Sequence, residues 1–60
     1  MTNTAILDYN EGRSQGIQDI YQLGISNYLA LMNEYEYQVG KGIFTWAFYR
    51  GYQDASKHID

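Results

Sequence analysis

The sequence predicts an all-α chain, a helical hairpin completed by oligomerisation. Three observations lead there. Residues 14–39 carry apolar side chains at spacings of three and four. Gly40-Lys41-Gly42 reads as a turn. Residues 43–58 then resume a helical period. Sixty residues make one domain. A chain this short buries only about 60% of its surface and is marginal alone. Small scaffolds add disulfides, a metal or a partner chain. With no Cys and a single His, a disulfide framework, a thiolate site, a Cys nucleophile and a multi-His zinc site within one chain are excluded. A homo-oligomer is therefore expected.

The elements follow in order. Residues 3–11, "NTAILDYNE", read as a short N-terminal helix or as the frayed start of the next one. Gly12 and Gly16 weigh against continuity, at about 1 kcal/mol each relative to Ala. The long helix spans about 14–39, with Ser14 as its N-cap. Ile17, Ile20, Tyr21, Gly24, Tyr28, Leu31, Met32, Tyr35 and Val39 fall in one stripe about 120° wide. Gln18, Asp19, Gln22, Ser26 and Asn33 fall outside it. Such a helix is roughly 39 Å long.

The second helix spans about 43–58, with no Pro anywhere to break it. Phe44, Phe48, Gly51, Tyr52, Ala55 and Ile59 form its inward stripe. Arg50, Asp54 and Lys57 lie on another side, at spacings that allow pairing. Ala47, Gly51 and Ala55 recur every four residues and let another helix approach closely. A β-hairpin is the rival for residues 34–49, because "EYEYQV" alternates and "IFTWAFY" is rich in strand formers. The helix is preferred because "YRGYQDASK" has no strand character.

Aromatic residues exceed what one inward stripe can hold. Phe44, Trp46, Phe48, Tyr49 and Tyr52 crowd a stretch of nine residues. Trp46, Tyr49 and Gln53 are expected on a second, outward ridge. Leu23, Ala30 and Tyr37, in a heptad register with Gly16, form another ridge on the long helix. These residues are expected to make a protein interface, since exposed apolar patches mark interaction sites.

Chemistry is sparse. Asp54 and His58 share a helix face, and read better as a surface ion pair than as a catalytic or metal pair. Asp8 and Glu11 also share a face, while Glu34 and Glu36 point apart. Gly40-Lys41-Gly42 lacks the rest of a phosphate loop: Tyr35 stands where Gly is needed, and Gly42 follows the Lys. No enzyme and no cofactor is expected. The net charge is −3, and the four bases Arg13, Lys41, Arg50 and Lys57 are scattered along the chain, which argues against nucleic acid as the main partner. The Gly12–Gly16 spacing resembles a membrane-helix packing motif, but its neighbours are charged and polar. No apolar run reaches the ~20 residues of a membrane span, and no signal peptide is visible. Met1 reads as a native start of a complete small protein, and a Cys-free chain fits the cytoplasm.

The segment "AFYRGYQDA", aromatic-x-x-Gly-aromatic-x-x-Ala, resembles small helical proteins of Gram-positive bacteria and their phages. The likeness covers about nine residues and assigns no site. More generally, an acidic, Cys-free chain of this length looks like a phage accessory protein, a class in which many members, anti-CRISPR and other anti-defence proteins among them, bind and block a host protein. The expected function is thus a small acidic protein-binding inhibitor, acting by steric blocking as a homo-oligomer. The alternatives are a small DNA-binding regulator and a structural or assembly module.

Overall fold

The structure is a computed structural model that describes the backbone of residues 4–59 and the side chains of 5–57. Three helices and no strand occur among the described residues: α1 (Thr4–Leu23), α2 (Ile25–Gly40) and α3 (Trp46–Ile59). The chain is all-α, and the rival β-hairpin is absent from residues 34–49. The helix expected over 14–39 is two helices. Gly24 stands between them at φ 90°, ψ 159°, a conformation open only to glycine at low cost. The periodic pattern continues across Gly24, so spacing alone does not reveal the bend. Asn27 donates a side-chain hydrogen bond back to the Leu23 carbonyl across the bend (2.8 Å).

α1 runs unbroken through Gly12 and Gly16, so Ser14 lies inside a helix and caps nothing. The physical reason is the seam between α1 and α3. A Cβ at Gly12 would lie 1.9 Å from the Phe48 carbonyl oxygen, and one at Gly51 2.0 Å from the Tyr9 carbonyl oxygen. A Cβ at Gly16 would meet that of Ala55 at 2.5 Å. Only hydrogen fits at these positions. The ~1 kcal/mol cost of each helical glycine is offset by packing that no larger residue allows.

Contacts across the seam give its direction. Asp8 meets Thr45, Gly12 meets Phe48, and Gly16 meets Tyr52 and Ala55. Both numbers rise together, so α1 and α3 run parallel. α2 runs opposite to α3, because Tyr28 stacks on Tyr52 while Tyr35 reaches Phe48 and Phe44. The result is an up-down-up bundle.

The two ends of the α2–α3 connection are chemically specified. The Gly42 and Ile43 amides donate to the carbonyls of Val39 and Gln38, at 3.0 and 2.9 Å. With Gly42 at φ 81°, this is a Schellman stop. Thr45 then opens α3: its Oγ1 accepts from the Phe48 amide (3.2 Å) and donates to Asp8 Oδ2 (2.9 Å). One residue both caps α3 and ties it to α1.

The core is aromatic and small. Tyr28, Tyr52 and Ala55 are fully buried, with Ile17, Ile20, Leu31, Met32 and Tyr35 packed around them. Ring centroids of Tyr28–Tyr52, Tyr52–Tyr35 and Phe44–Phe48 lie 5.0, 4.5 and 4.9 Å apart. Hydroxyls inside the core are satisfied. Tyr28 donates to the Tyr52 carbonyl, and Tyr52 donates to Asp19 Oδ2 at 2.7 Å. Asp19, expected outside the stripe, is buried at 8% exposure, and Tyr21, expected inside it, is 75% exposed. The bend at Gly24 moves the α1 face away from the register that α2 continues.

Candidate functional site

Trp46 is the first residue of α3, immediately after the Thr45 cap, and it is 57% exposed. Its ring leans on Tyr49 with centroids 5.3 Å apart. Gln53, seven residues on and so on the same helix face, is exposed. Tyr49 departs from the expected outward ridge: it is buried at 6% exposure. Burial, with the Glu36 carboxylate of α2 as a smaller cause, pushes its hydroxyl pKa up. Tyr49 is thus the floor that holds the Trp46 ring, and Trp46 and Gln53 are the outward part. The cause is α2, which lies against this side of α3.

The second expected ridge is divided. Leu23 ends α1 and is 46% exposed, whereas Ala30 and Tyr37 lie on α2, both exposed. Gly16 is buried in the α1–α3 seam. The bend at Gly24 breaks the heptad register, so these residues do not form one continuous strip. Tyr37 sits under the Lys41 ammonium, 5.0 Å from its ring centre, a cation–π contact. Ile43, which sequence spacing did not single out, is 62% exposed at the same end of the bundle as Trp46. Ile25 and Leu29, one turn apart beside the bend, are also about half exposed.

A polar cleft lies along the other flank of α1 and α3. Tyr9, Arg13, Asp54 and Lys57 line about 300 Å³ there. The Tyr9 hydroxyl donates to Asp54 Oδ2 (2.6 Å), and Lys57 Nζ stands 3.6 Å from Asp54 Oδ1. The Asp54–Lys57 pair matches the spacing read from the sequence. That hydrogen bond is the main cause of a raised pKa for Tyr9 and a lowered one for Asp54. Tyr9 is thereby held as a protonated donor, a poor base at neutral pH. The Arg50 charge also acts on Tyr9 and Asp54. Three of the four bases, scattered in sequence, thus gather on this flank. The Asp54–His58 pairing lies outside the described side chains.

No group of three or more His, Asp or Glu converges as a metal site among the described residues. No described helix is long and apolar enough to cross a membrane. No family model, curated protein or solved structure matches this chain.

Proposed function

We propose that this chain is a small protein-binding module whose anchor is Trp46. One observation carries the reading: the sole Trp is held out, 57% exposed, at the capped start of a helix whose inner face is locked by aromatic packing. A rigid aromatic that stands proud of a fixed backbone loses little entropy when it enters a pocket. Trp and Tyr are enriched at such anchors. Gln53 on the same face supplies amide hydrogen bonds, and Ile43 and Tyr37 at the same end of the bundle extend the apolar surface. A net charge of −3 favours a basic target. The mechanism is steric: the bundle covers a functional surface of its target. The resemblance of "AFYRGYQDA" to small proteins of Gram-positive bacteria and their phages extends this reading to a host defence protein as the target, with the chain as its cytoplasmic inhibitor acting as a homo-oligomer.

The experiment is capture by the tagged chain from lysate of the source cell, with Trp46→Asp alongside. A stoichiometric protein retained by the natural sequence and lost by a folded Trp46→Asp variant supports the reading. Equal capture by both, or no stoichiometric capture, contradicts it.

A further inference from the structure

We infer that the chain self-associates head to flank, with the acidic cleft of one copy seated on the basic flank of the next. This goes beyond the Trp46 reading and shares only Ile43 with it. The cleft, of about 220 Å³, is lined by Asp8, Glu11, Ile43, Phe44, Thr45 and Phe48. Half-buried Phe44 and Phe48 line it with exposed Ile43, and Asp8 and Glu11 bring two negative charges. The flank carries Arg13, Arg50 and Lys57 around Asp54. Among the described residues its formal charges sum to +2, opposite in sign to the two carboxylates of the cleft. Ile6, one heptad before Arg13 and so on its face of α1, is 56% exposed and offers an apolar contact.

The two surfaces cannot meet within one chain. At 3.6 residues per turn, Asp8 and Glu11 lie about 140° and 160° around α1 from Arg13. A second copy brings them together. A two-fold pairing of cleft on cleft would set carboxylates against carboxylates, so complementarity favours the heterologous arrangement. Such contacts do not close on themselves unless the rotation happens to form a ring.

Sedimentation equilibrium of the full chain tests this. The mass of the natural sequence is expected to rise with concentration past that of a dimer, and to fall with added salt, which screens exposed charge pairs. Glu11→Lys disables the cleft, and Arg50→Glu with Lys57→Glu disables the flank. All three positions are exposed, and circular dichroism checks that each variant stays folded. Each variant alone is expected to associate at least tenfold more weakly. Mixed in equal amounts they are expected to recover association to at least a one-to-one dimer, because each retains the surface that the other lacks. A natural chain that stays monomeric, variants that assemble unchanged, or a mixture that stays monomeric overturns the inference. None of these substitutions touches Trp46, so capture of a foreign protein by Glu11→Lys reports separately on the function proposed above.

Discussion

The hydroxyl of Tyr52 on α3 donates a 2.7 Å hydrogen bond to the Asp19 carboxylate of α1, and both residues are buried. Gln15 holds the other carboxylate oxygen at 2.9 Å. A buried carboxylate that loses a donor costs about 1–3 kcal/mol. Tyr52→Phe is therefore expected to destabilise the bundle by that amount at neutral pH, as measured by denaturant unfolding.

The same tyrosines give the fold an alkaline limit. Burial first, and the Asp19 hydrogen bond second, push the Tyr52 pKa well up, and burial raises Tyr28, Tyr35 and Tyr49 as well. An unfolded tyrosine titrates near 10. Above that pH the folded chain keeps protons that the unfolded chain releases, so stability falls as pH rises. The contribution is fully present below about pH 10 and is lost as pH climbs toward the folded values. Unfolding midpoints are expected to be level from neutral pH to about 9 and to drop beyond 10, with a shallower drop for Tyr52→Phe.

Glycines of the same sequence type differ sharply in what they tolerate. Gly12→Ala places a methyl group against the Phe48 carbonyl, whereas a Cβ at Gly40 meets nothing within 4 Å. Overpacking costs roughly 1–3 kcal/mol, and more where backbone must move. Gly12→Ala is expected to cost at least that much. Gly40→Ala is expected to stabilise by about 0.5–1 kcal/mol. Matched urea titrations of the two variants read both signs.

Gly24 controls the bend. It has open space around it but sits at positive φ, so Gly24→Ala is strained by about 1–3 kcal/mol in the bent form. The expected outcome is lower stability, with a shift toward one continuous α1–α2 helix. Small-angle scattering would show that shift as an increase over the compact Cα radius of gyration of 11.1 Å.

Thr45 serves two partners through one oxygen. Thr45→Ala removes the cap on the Phe48 amide and the link to Asp8. A loss of about 1 kcal/mol is expected, with Thr45→Ser recovering most of it. Thermal unfolding of the two variants checks this.

Helical class, the stop at Gly42 and the inward set Phe44, Phe48, Tyr52 and Ala55 were legible from spacing and turn chemistry. Trp46 was legible as outward because it lies far around the helix from that set. The bend at Gly24 was not, because its neighbours keep a helical period on both sides and only a backbone angle reveals the break. That miss displaced Tyr21, Asp19 and the heptad of Leu23, Ala30 and Tyr37. Gly12 and Gly16 read as weak points in a helix because their partners, Phe48 and Ala55, lie more than thirty residues away in sequence. Tyr49 was misplaced for a related reason: two helices leave its side of α3 open, and a third covers it.

The most direct measurement uses the single Trp. Fluorotryptophan labelling puts one fluorine reporter at Trp46, and its solvent-isotope shift reads exposure to water. Without target the signal is expected to be water-exposed, and on addition of the captured target it is expected to move to a protected environment. A Trp46 signal already protected without target, or equally exposed with the target bound, would contradict the account.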